Sequence, residues 1–165
     1  MTERKKITKK IQTQPSILTS NLYTDIKTLI QESELGACSK QHGYILDVEN
    51  TSVKSCSVSE SNSYLNFEVE YLATTLKPKV GSQYTGRVCL IFAMGILVNV
   101  AEIMKVFIPT TSHANFTFNP DLNQITYKKD NSEVTLKNGD LVRISVTGVQ
   151  FNESSLSFNC YGAIV

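Results

Sequence analysis

The sequence predicts a mostly β protein of the α+β class, in which one helix on a small antiparallel sheet precedes a five-stranded barrel. Apolar and polar residues alternate in short segments separated by Gly, Pro, Asn and Ser, as half-buried strands require. One segment, 21–35, has helical periodicity. The segment 84–109 is rich in apolar and β-branched residues, and Gly95 interrupts it, which is typical of a strand bend or bulge in a barrel.

The composition indicates a folded chain without a strong overall charge. Of 165 residues, 41% are hydrophobic and 19% are charged, and the net charge is +1. This length can bury one medium core or two small ones. The low net charge argues against a stand-alone DNA-binding protein. The first ten residues carry five cations against Glu3, which predicts a solvated arm or an edge strand; the cations are Arg4, Lys5, Lys6, Lys9 and Lys10.

Four cysteines lie far apart and form no Cys-x-x-Cys pair, which argues against a zinc site. They are Cys38, Cys56, Cys89 and Cys160. We expect reduced thiols, mostly in the core, in an intracellular protein. Nothing at the N-terminus resembles a signal peptide, and no run reaches the roughly 18 apolar residues of a membrane span. A soluble protein without a membrane partner is therefore expected.

The first half of the chain predicts a sheet and one amphipathic helix. Residues 6–13 alternate weakly, and Pro15 ends this strand. The helix extends from Asn21 to about Leu35, with Thr19 or Ser20 as N-cap candidates. Its predicted buried face consists of Leu22, Ile26, Leu29 and Ile30. Gly36 follows the helix, where a left-handed C-cap favours glycine.

Three further strands are predicted before the middle of the chain, over 43–48, about 53–58, and 64–76. The last has the clearest alternation, with Leu65 and Phe67 on one face and Glu68 on the other. A Ser/Asn-rich loop covers 59–63. Pro78 and Gly81 predict a joint between two domains, 1–80 and 81–165.

The second half predicts five strands with a long insertion after the third. Two strands meet at Met94-Gly95, a third ends at Pro109, and the last two cover 141–151 and 156–164. Between them, the segment 110–124 is irregular with a turn at 119–121, a short strand covers 125–129, and Asn138-Gly139 marks a turn. This arrangement matches an OB-fold barrel, which usually binds oligonucleotides.

The residues offer little for catalysis. His42 and His113 have no partner at a metal spacing, and the chain contains neither a phosphate-binding glycine loop nor a Gly-x-Ser-x-Gly motif. Glu68 and Glu70 fall on one strand face, where a solvated surface is expected rather than an acid–base pair. We therefore predict no catalytic residues, no metal and no cofactor.

Aromatic residues interleave with cations in the barrel, a combination that holds single-stranded nucleic acid in OB folds. The set is Phe92, Phe107, Phe116, Phe118 and Phe151 with Lys105, Lys128, Lys129 and Arg143. Phe92 and Phe151 are expected in the core. His113 is read as either an ordinary loop histidine or a nucleic-acid contact. The better RNA candidates flank the third strand, the insertion and the fourth strand: Lys105, Phe107, His113 and Arg143.

The ordered segments resemble one family over nearly the whole chain. They are GACSKQHGYIL (36–46), FEVEY (67–71), LKP (76–78), GRV (86–88), MKVFI (104–108), FTFNP (116–120), GDLVRI (139–144) and YGAI (161–164). Together they resemble the larger stalk subunit of multi-subunit RNA polymerases, the family of the seventh subunit of eukaryotic RNA polymerase II and its archaeal counterpart. The abundance of Asn, Ser and Lys would suit a viral member.

This resemblance implies a non-catalytic polymerase subunit with an N-terminal tip domain that docks on the core near the clamp. It also implies an OB domain that contacts emerging RNA. The docking residues would be Pro15, Ser16, Ile17, Leu18, Cys56, Ser59 and Ser63, and the RNA contacts Lys105, Phe107, His113 and Arg143. Expected partners are the large core subunits, a smaller helical stalk subunit and nascent RNA.

Two other functions stay open at this stage. One is a free-standing single-stranded RNA-binding OB protein in translation or RNA turnover, which leaves the first 80 residues unexplained. The other is a structural β protein such as a capsid component, which leaves the helix unexplained. A polymerase subunit would be nuclear in a cell, and would lie in the cytoplasm or the virion if viral.

Overall fold

A computed structural model describes residues 2–17, 21–112 and 115–165 and confirms the mostly β fold class. The chain forms two compact units, an N-terminal one over Thr2–Leu76 and a C-terminal one that begins at Lys77 and ends at Val165. Within the described residues there is one α-helix, and it is too short and too polar to cross a membrane.

The N-terminal unit is one helix on a four-stranded antiparallel sheet. Its elements are β1 (Thr2–Thr13), α1 (Leu22–Glu34), β2 (Cys38–Ser39), β3 (Gly43–Val58) and β4 (Leu65–Leu76). The strand order is β1-β4-β3-β2, so β1 and β2 are the edges. The sequence pattern predicted two strands where β3 is continuous. Register shifts along its pairing with β4, and a positive φ of 53° at Asn50, bend it without ending it.

Helix α1 covers the apolar face of the sheet through Ile26 and Ile30, which share one core with Val69 and Tyr71. Leu29, predicted on this face, is instead 38% exposed. The buried line continues from Ile26 and Ile30 to Glu34, one residue every four, so the contact with the sheet is narrow.

The ends of the helix follow its local sequence. Asn21 occupies the N-cap position; the predicted caps, Thr19 and Ser20, lie outside the described residues. Gly36 has the expected left-handed conformation, with φ of +80°. Its N–H donates to the Ile45 carbonyl at 2.8 Å, which joins the end of the helix to β3.

The cation-rich first segment is the edge strand β1, one of the two alternatives predicted. Its side chains pair with acids of neighbouring elements. Arg4 binds Glu49 at 2.7 Å, and Lys6 lies 3.6 Å from Glu70. Lysines on an edge strand also disfavour pairing with the edge of another sheet.

Glu34 is a buried carboxylate that joins the last turn of α1 to the sheet. Its side chain accepts hydrogen bonds from Lys9 Nζ and from the Tyr71 hydroxyl, the latter at 3.1 Å, and the residue is only 6% exposed. Burial, followed by the charge of Glu34 and this hydrogen bond, raises the pKa of Tyr71 well above its usual value. Tyr71 therefore stays a neutral donor at all physiological pH values.

The C-terminal unit is a closed barrel with a small separate sheet inserted into it. Its strands are β5 (Gln83–Phe92), β6 (Gly95–Val100), β7 (Met104–Pro109), β8 (Thr117–Asn119), β9 (Gln124–Lys129), β10 (Ser132–Lys137), β11 (Leu141–Asn152) and β12 (Ser157–Ile164). The barrel order is β5-β6-β7-β12-β11, and β7 and β12 pair in parallel. This is the OB topology.

The small sheet has the order β10-β9-β8 and fills the predicted insertion between β7 and β11. The sequence pattern predicted β9 but neither β8 nor β10. Ile125 and Tyr127 of β9 are buried, and the Tyr127 ring stacks on Phe116. The strand that the sequence pattern predicted, β9, is thus the one with two buried apolar side chains.

Gly95 is required by a turn rather than by a bulge. Phe92 pairs with Gly95 across a two-residue connection, and φ at Gly95 is +153°, which disfavours any residue with a side chain. The register shift between β5 and β6 lies instead between Val88 and Leu90, so Cys89 occupies the bulge. The predicted strand irregularity exists, but six residues earlier.

The buried carboxylate gives a prediction about stability. Lys9→Ala should lower the free energy of unfolding by about 1–2 kcal/mol, because it leaves Glu34 buried without its cation while Lys9 itself is half exposed. Urea denaturation followed by circular dichroism measures this. Lys10→Ala, the adjacent exposed lysine, is the control and should change stability by less than about 0.5 kcal/mol. Equal losses for both variants would contradict the role of Glu34.

The turn glycine gives a second prediction. Gly95→Ala should destabilise the chain by about 2–4 kcal/mol, because a Cβ there would overlap the carbonyl oxygen of Ile108 and φ is unfavourable. Gly139→Ala is the matched control. Its φ is +95° but no atom lies within 4 Å of the added Cβ, so only about 1 kcal/mol should be lost. Thermal unfolding measures the loss of stability in both variants. Gly95→Ala combines steric overlap with backbone strain, whereas Gly139→Ala introduces backbone strain alone.

Candidate nucleic-acid and docking surfaces

Strand β7 alternates strictly between the barrel core and the outer surface. Met104, Val106 and Ile108 are fully buried, so Lys105 and Phe107 between them lie on the outside. Both were predicted RNA contacts, and the structure places them two residues apart on one face. Lys105 is exposed, and Phe107 is half-buried by its neighbours.

Strand register extends the position of Phe107 into a row across the barrel. Leu90 of β5 pairs with Leu97 of β6, Leu97 with Phe107, and Phe107 with Tyr161 of β12. We call these four residues the apolar row. Leu90 is 51% exposed and Tyr161 46%, so the row carries a large accessible apolar and aromatic area at both of its ends.

Phe107 contacts two other aromatic rings on this surface. The Phe92 and Phe107 rings stack with centroids 5.7 Å apart and planes 19° apart, and Tyr161 meets Phe107 edge to face at 6.3 Å. Phe92 was expected in the core. It lies outside instead, because its neighbour Ile91 occupies the inward position on β5. Phe151, also expected in the core, is half-buried beside Phe158.

A row of polar and cationic residues runs beside the apolar row. Arg87 of β5 pairs with Asn99 of β6, and Asn99 pairs with Lys105 of β7. We call these three residues the cationic row. Arg87 donates to the carbonyl oxygen of Gly139 at 3.1 Å, which fixes its guanidinium at the turn before β11. The two rows lie two residues apart on β6 and β7, which is about 6–7 Å, and three residues apart on β5, where the bulge at Cys89 intervenes.

The five barrel strands contain no acidic residue at all, while they carry Arg87, Lys105 and Arg143. The strands of the N-terminal unit differ sharply, since they include Glu3, Asp47, Glu49, Glu68 and Glu70. An aromatic face with cations and without carboxylates suits a polyanion whose bases can stack. The barrel surface is therefore the candidate nucleic-acid interface.

Of the other two predicted RNA residues, Arg143 lies on the outer face of the barrel but outside the two rows. Arg143 is exposed on β11 opposite Thr85. On the same strand Gly148, level with Tyr161, lies five residues further on, which is about 16 Å at the rise of a strand. Arg143 is thus distant from Phe107. His113 lies outside the described residues.

Sequence reasoning missed Tyr161, Leu97, Arg87 and the outward position of Phe92. The alternation of β12, in which Phe158, Cys160 and Gly162 are buried, was a usable signal for Tyr161. The position of Tyr161 beside Phe107 was not predictable in this way, because the pairing joins strands more than fifty residues apart.

The predicted docking residues gather at one end of the N-terminal sheet. Leu65 pairs with both Thr13 and Val58, so β1 and β3 end, and β4 begins, at the same level. The short helical turn Pro15–Ile17 leaves β1 there, and the loop from Ser59 to Ser63 joins β3 to β4 there. We call this the hairpin end. Of the predicted set, Leu18 lies outside the described residues.

The hairpin end is ordered by its own hydrogen bonds and carries apolar side chains that the sequence did not single out. Ser59 donates its N–H to the Tyr64 carbonyl at 2.7 Å, and the Ser59 and Ser61 hydroxyls lie 3.1 Å apart. Val58 is 64% exposed and Tyr64 37%. These two apolar side chains make the hairpin end a candidate contact surface.

None of the four cysteines, all of which are described, forms a disulfide, but they are less buried than predicted. Cys160 is buried, Cys38 and Cys89 are half-buried, and Cys56 at the hairpin end is exposed. Cys56 is exposed, like all of residues 54–58 at the end of β3. Among the described residues, no group of three or more His, Cys, Asp or Glu side chains is arranged to hold a metal ion.

Comparison with known proteins gives one relative over nearly the full length, and no family model matches. The chain is 24% identical over 158 residues to DNA-directed RNA polymerase II subunit rpb7 of Schizosaccharomyces pombe, covering 92% of this chain and 89% of that one. Two structures of Mycoplasma genitalium RNase R, apo and with ribose methylated single-stranded RNA, have TM-scores of 0.40 and 0.39 at 16% identity. They match 52% of this chain, which spans 13% of each of theirs.

Thiol labelling should separate Cys56 from Cys38. Burial raises the pKa of Cys38 to about 11, so only about one thiol in a thousand is ionised near pH 8. Ellman's reagent should therefore modify exposed Cys56 first and Cys38 more slowly. At pH values below the pKa of Cys38, its rate of modification should rise about tenfold for each pH unit. Cys56→Ser removes the fast phase and serves as the control. A fast phase that persists in Cys56→Ser would contradict this assignment.

Proposed function

We propose that the chain is a non-catalytic stalk subunit of a multi-subunit DNA-directed RNA polymerase. The observation that carries the proposal is the similarity to the rpb7 subunit of RNA polymerase II, which extends over 92% of the chain and so includes both units. In this role residues 1–80 act as a tip domain on the core near the clamp, and residues 81–165 contact emerging RNA. The large core subunits are the main partners, and a smaller helical stalk subunit completes the stalk.

The hairpin end is the proposed contact with the polymerase core. It combines the Pro15–Ile17 turn with the 59–63 loop and presents Val58 and Tyr64 to the outside. Tyr is among the residues that most often dominate binding energy in protein interfaces, particularly when surrounded by smaller side chains that exclude water. Ser59, Ser63 and Cys56 would form that surround.

The barrel is the proposed RNA contact, through Lys105 and Phe107. These two side chains belong to adjacent rows on a face that includes no carboxylate from the five barrel strands. A polyanion that approaches these strands meets cations and no strand carboxylate, which favours attraction. In a polymerase the complex would act in the nucleus of a cell, or in the cytoplasm or virion for a viral enzyme.

A second function is a free-standing single-stranded RNA-binding protein in translation or RNA turnover. The five barrel strands, which carry cations and no acids, favour it specifically, because such a surface needs no polymerase to bind RNA. The two functions differ in the role that they give to the N-terminal unit. A stalk subunit requires the hairpin end for its partners, whereas a free RNA-binding protein does not.

Affinity purification of the tagged full chain from its own cell, followed by mass spectrometry, tests the proposal. The wild type should recover two very large polymerase chains in near-equal amounts. Val58→Asp/Tyr64→Asp should reduce that recovery at least about tenfold, because charges replace the apolar contact. Leu122→Asp/Leu156→Asp, two residues of similar exposure in the C-terminal unit, should leave it unchanged.

One result would count against the stalk function, and another against the hairpin end as its contact. Recovery of RNA without large partners by the wild type would favour the free RNA-binding protein. Undiminished recovery of the core by Val58→Asp/Tyr64→Asp, in a chain with a wild-type circular dichroism spectrum, would move the contact away from the hairpin end.

A further inference from the structure

We propose that Tyr161, with Phe107 and Phe92, forms a platform on which unpaired bases of single-stranded RNA stack, while Arg87 and Lys105 hold the phosphates. The inference rests on the proposed RNA contact of the barrel and specifies its ligand and its main residue. The sequence pattern did not single out Tyr161. The pairing of β7 with β12 places it beside Phe107.

The two rows fit the two chemical parts of a nucleotide. The apolar row crosses four neighbouring strands, a distance of about 14 Å at the usual strand spacing. That is room for about two or three bases, the number that a sheet surface commonly stacks. The cationic row runs beside it, about 6–7 Å away on β6 and β7, where the sugar–phosphate chain would lie.

Tyr161 is the accessible part of the aromatic surface. Phe107 is stacked on Phe92 at one side, whereas Tyr161 stands at 83° to Phe107 and keeps 46% of its surface exposed. Its neighbour on β11 is Gly148, whose backbone leaves that flank of the ring uncovered. A Cβ at Gly148 would lie 3.6 Å from the Tyr161 ring, so a larger side chain would fit there and cover it.

Charge and shape together select single-stranded RNA as the occupant. The absence of carboxylates from all five barrel strands favours a polyanion over an ordinary protein surface, which carries both signs. In a duplex the bases are stacked on one another and cannot reach aromatic rings, whereas unpaired bases can. The platform should therefore bind unstructured RNA far more tightly than a duplex of the same length.

Fluorescence anisotropy with a labelled 12-nucleotide oligouridine tests this in the full chain. Tyr161→Ala should weaken binding about 5- to 100-fold, the usual effect of losing one stacked base. Tyr161→Phe should bind within about twofold of wild type, since stacking needs the ring. Gly148→Leu should weaken binding while Tyr161 is still present. Tyr23→Ala, which removes a 74% exposed tyrosine of α1, is the matched control and should have no effect.

Salt dependence separates the two rows. Lys105→Ala should lower the slope of log K against log salt by about 0.7, the loss of one phosphate contact on a single strand. Tyr161→Ala should weaken binding without changing the slope. Circular dichroism and thermal unfolding establish that each variant is folded. A folded Tyr161→Ala that binds oligouridine as wild type does, equal affinity for a duplex, or no binding by wild type would each overturn the platform.

Failure of the platform and failure of the stalk function are distinguishable. If Tyr161→Ala loses RNA affinity while the wild type recovers no polymerase chains, the platform stands and the stalk function fails. If wild type recovers the core but Tyr161→Ala keeps full RNA affinity, the platform fails and the stalk function stands.

Discussion

The parallel pairing of β7 with β12 is the constraint on which the barrel and its outer surface depend. It closes the sheet, so no barrel strand is left as an open edge. It also places Phe107 beside Tyr161 and Val106 beside Cys160, one pair outside and one inside. Because strand faces alternate, a shift of one residue in this register would exchange core and surface on β12. Barrel closure and the aromatic surface are thus consequences of a single register.

The packing of the barrel makes that register hard to change. Gly162 on β12 lies so close to β11 that a Cβ there would be 2.8 Å from the Ser145 carbonyl oxygen. Gly86 on β5 is similarly close to the Asn99 carbonyl oxygen, at 2.9 Å. Strands approach so closely where a small barrel curves most tightly. These glycines therefore hold the curvature that the aromatic surface requires, although neither is part of that surface.

Sequence alone was sufficient for features that depend on neighbouring residues. The alternation of β4, the helix α1 and the five barrel strands were all readable, because period and turn chemistry are local. Boundaries were less accurate where tertiary contacts override a weak pattern, as in the continuous β3 and the missed β8 and β10. Lys105 and Phe107 were found through their own strand. Tyr161 was not, because its neighbours come from a strand more than fifty residues away, and Phe92 was misplaced because a bulge at Cys89 changes the face that follows it.

The contrast in charge between the two units supports a division of work within the chain. In the N-terminal sheet, acids and lysines neutralise each other in pairs, such as Lys6 with Glu70 and Lys9 with Glu34. Such a surface gives little long-range attraction to RNA, and two exposed apolar residues, Val58 and Tyr64, lie at the hairpin end. In the barrel, cations have no acids among the strands to neutralise them, so attraction to a polyanion persists. This contrast supports the proposed division, in which the N-terminal unit meets a protein partner and the barrel meets nucleic acid.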